Sequence, residues 1–245
     1  MSMFYELYKS IGKRPCPPGT RVERCPLIIN PNSEDLLTSN VFGALKYLPP
    51  AIWLTPLLEL IFKGRAFDVL DRSKIKVEFW KKLPSPPTTR HQEGIQEIDL
   101  VITIRHLTIL IECKFKSPVN MGRSGSSVRD QLARYLDAVA FNYWPDSNTK
   151  RDIYLILLTD TNEEPEILSR YRNPDTVLAC LTQVRPFVDY EQASQHLSRN
   201  FGWATWGDLF AILQSCNLKE VHPIEAMIIQ DLILYLAYKL NSSRR

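Results

Sequence analysis

The chain has 245 residues, 44% hydrophobic and 23% charged, with 30 Lys and Arg against 27 Asp and Glu. At about 100–200 residues per domain this is enough to bury a core unaided, which excludes a disordered chain, a collagen-like repeat and a disulfide-stapled mini-protein. A net charge of +3 names no partner, so only the distribution of charge can point to a polyanion.

Residues 1–19 hold no apolar core behind a basic start, so no secretory leader is expected and the expected location is the cytoplasm. Cys16, Cys25, Cys113, Cys180 and Cys216 form neither a CxxC pair nor a Cys/His metal spacing, and their odd number suits a reducing compartment. The Pro-rich breaks at 15–18, 49–50 and 84–87 punctuate elements without separating units. One domain over 1–245 is expected, with a core at about 30–160 and a helical C-terminal extension.

Ser33 stands as N-cap before an apolar-periodic run from Leu36 to Leu48, which predicts a helix ended by Pro49-Pro50. A second helix is expected over 52–63. Alternation from Lys74 to Trp80 predicts a half-buried strand, followed by a polar, Pro-rich loop over 81–96. Two apolar runs, Ile98–Arg105 and Thr108–Phe115, predict a hairpin turning on His106-Leu107. A flexible loop over 121–127, a helix over 128–142 and a strand over 152–160 follow. The tail from Glu191 reads as mostly helical, with Trp203 and Trp206 packed. Ala51–Phe62 is too short to span a bilayer, and Ile224–Leu240 carries Glu225, Asp231 and Lys239, so both predict buried helices and no membrane partner. This order predicts an α/β fold, a mixed central sheet flanked by helices.

Within the expected hairpin, Asp99, Val101, Thr103 and Arg105 share one strand face, and Leu110, Glu112, Lys114 and Lys116 share one on the partner. If Arg105 pairs with Thr108, Asp99 lies opposite Lys114 and Val101 opposite Glu112, with the two acids diagonal at about 7–8 Å. Two carboxylates so placed can hold a hard divalent cation, which acts on a phosphodiester, and a nearby ammonium can stabilise developing charge. The Glu-x-Lys triplet alone is weak, since about one acid-x-Lys is expected by chance. Its place in an otherwise apolar strand, 13 residues after an acid, gives it weight.

Asp99, a turn and Glu112-x-Lys114 together resemble the signature of the PD-(D/E)XK nuclease superfamily. Ile98 stands where the proline of that name would be. Gln131 and Tyr135, in RDQLARYLDA, are similar to the Q-x-x-x-Y feature of RecB-like branches. The resemblance covers about 30–160 and implies a restriction-endonuclease-like fold. It implies Asp99, Glu112, Lys114 and Gln131 as catalytic residues, with Asp99, Glu112 and additionally Glu34 as ligands of Mg2+, for which Mn2+ could substitute. It also implies a DNA-cleaving enzyme, stand-alone, homodimeric or a subunit of a larger nucleic-acid-processing system. An RNA-cleaving nuclease and a non-catalytic nucleic-acid-binding or interaction module on the same fold are the alternatives. Basic stretches bracket the motif: 63–90 holds eight Lys and Arg against three acids, and 114–134 five against one, which suits a phosphate backbone.

Overall fold

A computed structural model describes residues 33–67, 75–84, 95–117, 129–143, 152–185 and 188–242. Residues 1–19, Cys16 among them, Cys25, His91 and the loop 121–127 lie outside the described residues. Helix α1 (Glu34–Leu45) opens as its residues dictate. The Ser33 side chain accepts from the Leu36 amide at 3.3 Å, and Glu34 and Asp35 sit in the first turn, where exposed amides favour negative charge. Helix α2 (Pro50–Ile61) starts on proline, whose fixed φ suits the first helical position.

Five strands lie side by side in chain order: β1 (Lys76–Leu83), β2 (Gln96–Ile104), β3 (Leu107–Cys113), β4 (Asp152–Thr159) and β5 (Phe201–Thr205). The first three are antiparallel. The Asp152 amide donates to the His106 carbonyl at 3.0 Å, so β3 and β4 start at the same end and run the same way. Helix α3 (Gln131–Tyr143) lies between them in the chain, within the long connection a parallel pair needs. The sheet is therefore mixed and the class α/β. Helices α4 (Glu166–Tyr171), α5 (Pro174–Thr182), α6 (Glu191–Arg199), α7 (Trp206–Gln214) and α8 (Pro223–Ser242) complete the described elements. No described helix is long and apolar enough to cross a membrane.

Several expectations need correction. The hairpin pairs Thr103 with Thr108 and Ile104 with Leu107, two residues away from the expected Arg105–Thr108 register. The turn is Arg105-His106, with Arg105 at φ +50°, because this register buries Leu107 and leaves the two polar residues exposed. A shift of two conserves the strand faces. The predicted loop 81–96 is strand at both ends, since β1 runs on to Leu83 and β2 starts at Gln96. The tail contains a strand, β5, whose five residues are too few to register as a period. Helix α8 buries Ile229, Leu232 and Leu236 but exposes Ile224, Met227, Leu234 and Tyr238, so only one side of it is the buried helix expected.

The chain forms two compact units. One contains Met1–Ser73, Cys113–Ser117 and Ala204–Arg245. In it Phe42 of α1 meets Trp53 of α2 edge-on at 5.8 Å and Trp206 of α7 at 6.0 Å. The other contains Lys74–Glu112 and Pro118–Trp203. Its core lies on one sheet face, where Val101, Leu110, Ile153, Leu155 and Leu157 pack with Leu132, Leu136 and Val139 of α3.

That face changes residue parity at Asp99. Ile98 and Val101, three apart, belong to the same core, and on β1 Glu78 and Lys81, also three apart, meet at 3.0 Å. In an unbroken strand such residues point to opposite faces. The expectation that Ile98 faces away from Val101 is thus corrected. On β1, between Glu78 and Lys81, Trp80 has φ +47°, a left-handed conformation costing a bulky residue about 1–3 kcal/mol. The β1–β2 ladder keeps one register across it, Phe79 with Leu100 and Lys81 with Ile98.

In the same unit, Asp137 of α3 is fully buried and accepts from two guanidinium groups, Arg129 at 2.7 Å and Arg185. Arg129 also donates to the Cys180 carbonyl of α5 at 2.8 Å, and Arg185 lies over the Phe141 and Tyr190 rings. One carboxylate therefore ties α3 to α5 and to the segment after it. Asp137→Ala leaves two buried cations without their counter-charge and should cost about 3–5 kcal/mol, read as a fall in the urea midpoint. A loss below about 1 kcal/mol would show that the cluster rearranges without cost.

Candidate active site

Glu112 lies on β3, the middle strand, which is buried on both faces, and is itself only 2% exposed. A solvated sheet face carrying ordinary charges is not what this residue occupies. Burying a carboxylate is costly unless hydrogen bonds or opposite charge offset it. Part of the offset comes from α3. Asp130 caps this helix by accepting from the Ala133 amide at 2.9 Å, and Tyr171 fixes the cap by donating to Asp130 at 2.5 Å. The cap sets Gln131 in the first turn with Tyr135 one turn on, the i, i+4 spacing of a shared helix face.

Three hydrogen bonds link these side chains to the strands. The Tyr135 hydroxyl donates to the Glu97 carbonyl at 3.1 Å. Having one proton, it must accept from its other neighbour. That neighbour is the Gln131 amide nitrogen, which gives one proton to Tyr135 at 2.7 Å and the other to Glu112 Oε1 at 2.8 Å. Burial holds the Tyr135 phenol far above its ordinary range, and the negative charges of Glu112 and, more weakly, Asp99 push it the same way. Both carboxylates therefore act electrically on one buried hydroxyl.

Asp99 is half-buried on β2 at the parity change. The paired positions of β2 and β3 end at Leu100–Ile111, and the next step of that register holds Asp99 and Glu112. This corrects the expected cross-strand partners: Glu112 falls beside Asp99, not opposite Val101, and Lys114 does not oppose Asp99.

Lys114 and Glu34 belong to the other unit. The Lys114 ammonium is 3.3 Å from Glu34 Oε1 and donates to the Cys113 carbonyl at 3.2 Å. Glu34 Oε2 accepts from the Phe115 amide at 2.9 Å and the Ser117 hydroxyl at 2.5 Å. The Trp206 indole donates to the Lys114 carbonyl at 3.1 Å. The structure thus groups Glu112 with Gln131 and Tyr135, places Asp99 at the neighbouring strand position, and groups Lys114 with Glu34.

Sequence reasoning missed Trp80, Ser117 and Asp130. An Asp directly before a helical run is a readable N-cap signal, whereas nothing in the sequence announces a left-handed tryptophan. Among the four histidines, His196 serves the backbone: its Nε2 accepts from the Ile153 amide at 3.1 Å.

Among the described residues no three His, Cys, Asp or Glu side chains gather as a metal site. Two carboxylate donors nevertheless suit Mg2+, which keeps most of its waters and commonly takes only one or two protein carboxylates. No family model, curated protein or solved structure matches this chain.

An unfolded tyrosine ionises from about pH 10 upward, whereas Tyr135 in the fold stays neutral there. Its share of stability is complete below pH 10 and is lost as pH rises beyond it, at about 1.4 kcal/mol per pH unit. Tyr135→Phe should make the decline of unfolding free energy above pH 10 shallower by about that slope. Identical slopes in the two proteins would mean that Tyr135 ionises without constraint.

Proposed function

We propose that the protein is a metal-dependent nuclease with a restriction-endonuclease-like fold that hydrolyses phosphodiester bonds in DNA. The observation that carries this reading is the acid pair: buried Glu112 on the middle strand, with Asp99 at the adjoining position of the β2–β3 register. Two carboxylates drawn together inside a sheet repel, and a divalent cation relieves that repulsion. The order helix, strand, hairpin, helix, strand supports the same fold, and so does Gln131, which donates both to Glu112 and to Tyr135.

Asp99 and Glu112 are the residues that would hold Mg2+ or Mn2+. When bound, such an ion neutralises charge on the phosphodiester and favours deprotonation of water. Gln131 keeps the Glu112 carboxylate in one orientation, and Tyr135, fixed on the Glu97 carbonyl, keeps Gln131 pointing at it. Lys114 stabilises negative charge developing on the phosphoryl oxygens or aligns the attacking water. It lies two residues beyond Glu112, so their Cα atoms are no more than about 7 Å apart. The basic stretches 63–90 and 114–134 attract the nucleic-acid backbone with a salt-dependent affinity.

Purified protein should cleave plasmid or oligonucleotide DNA when Mg2+ or Mn2+ is added and not in EDTA. Glu112→Ala and Lys114→Ala should each lower kcat by at least about 100-fold. Matched RNA offered beside the DNA separates the two substrate classes. Equal cleavage by wild type and both variants would identify a contaminant and remove the catalytic claim.

A further inference from the structure

Glu34 enters from the sequence as a third acid for the cation, but its surroundings describe another task. Its carboxylate, at the first position of α1, collects three donors from one short stretch: the Lys114 ammonium, the Phe115 amide and the Ser117 hydroxyl. The side chain of Lys114 is 11% exposed and that of Glu34 23%, so water screens their attraction only in part. From the opposite end of the sequence Trp206, fully buried, donates its indole N–H to the carbonyl of the same lysine. Lys116, two residues on, turns the chain with φ +56°. Backbone and ammonium of Lys114 are thus gripped separately, the first by Trp206 and the second by Glu34.

Chemistry argues against a shared duty. A carboxylate oxygen has two lone-pair directions in its plane, and Glu34 Oε2 already serves both an amide and a hydroxyl. Recruiting Oε2 to a cation would break the contacts that hold Phe115 and Ser117, and Oε1 faces the Lys114 ammonium at 3.3 Å, whose positive charge repels a cation there.

Resting on the nuclease reading for its consequence, though not for its geometry, we infer that Glu34 is the positioning residue of Lys114: it fixes the direction of the ammonium and does not ligate the cation. In Glu34→Gln the single amide oxygen can still accept from Phe115 and Ser117, but the amide N–H2 group then faces the ammonium, and the lysine side chain loosens.

The full-length chain and its variants separate the alternatives. Binding of Mn2+ alone, followed by electron paramagnetic resonance, should stay within about twofold in Glu34→Gln and weaken at least about tenfold in Glu112→Gln. Glu34→Gln should lower kcat about 10–100-fold with KM nearly unchanged, and it should cost nothing further in a Lys114→Ala background. Labelling of Lys114 by an amine reagent, mapped by mass spectrometry, should rise several-fold in Glu34→Gln and not in Glu112→Gln. Equal loss of Mn2+ affinity in the two Glu variants would make Glu34 a ligand and overturn the inference. An undiminished cost of Glu34→Gln in the Lys114→Ala background, or unchanged labelling, would reduce it to a structural anchor. Were the wild type to cleave nothing, raised labelling would still support the Glu34–Lys114 positioning while the nuclease reading fell.

Discussion

A carboxylate in the middle strand of a sheet constrains everything around it. Glu112 lies where solvent cannot hydrate it, and leaving such a group uncompensated costs several kcal/mol. The Gln131 amide provides one fixed donor. That amide also donates to the Tyr135 hydroxyl, which in turn donates to the Glu97 carbonyl. The chain of bonds runs from a backbone carbonyl of β2 through α3 to β3, and an amide with an acceptor on each N–H has no reason to flip.

The strained tryptophan of β1 acquires meaning from that network. Regular alternation would turn Glu78 and Lys81 to opposite faces of β1. With Trp80 between them in the left-handed region, the two meet at 3.0 Å. Backbone strain of this sort persists where the surroundings over-determine it. Here the surroundings are a sheet paired on either side of Trp80 and a core that accepts Ile98 and Val101 on the same side. A local cost of a few kcal/mol is thereby borne by the packing of a whole sheet.

Elements with strong local chemistry were legible in the sequence. Ser33 and Pro49-Pro50 delimit α1, the apolar runs mark β2, β3 and β4, and the RDQLARY stretch marks α3 within a few residues. The faces on which Glu112 and Gln131 would be found followed from periods of two and 3.6. What was not legible depends on single backbone dihedrals or on tertiary contacts. The hairpin register turned on whether Leu107 is worth more buried in a strand than spent in a turn, and on Arg105 accepting a positive φ. Trp80 takes a left-handed backbone that its residue type argues against. The buried Arg129–Asp137–Arg185 cluster draws on residues up to 56 positions apart, with no periodic trace. Short β5 and the modest helices α4 and α5 fall below the length at which a hydrophobic period can be told from chance.

Glu112 and Lys114 sit on either side of the point where the chain passes from one compact unit to the other. Their anchors differ completely: the acid accepts from an amide that a phenol holds in turn, while the amine lies on a carboxylate and an indole holds the carbonyl of the same lysine. A triplet built in this way is tethered by covalent geometry and oriented by two independent sets of hydrogen bonds. Loss of one set disorients one functional group and leaves the other in place. For that reason substitutions at Gln131 and at Glu34 belong to separate energetic systems, and their costs should add to within about 0.5 kcal/mol, whereas pairs drawn from the same set should not.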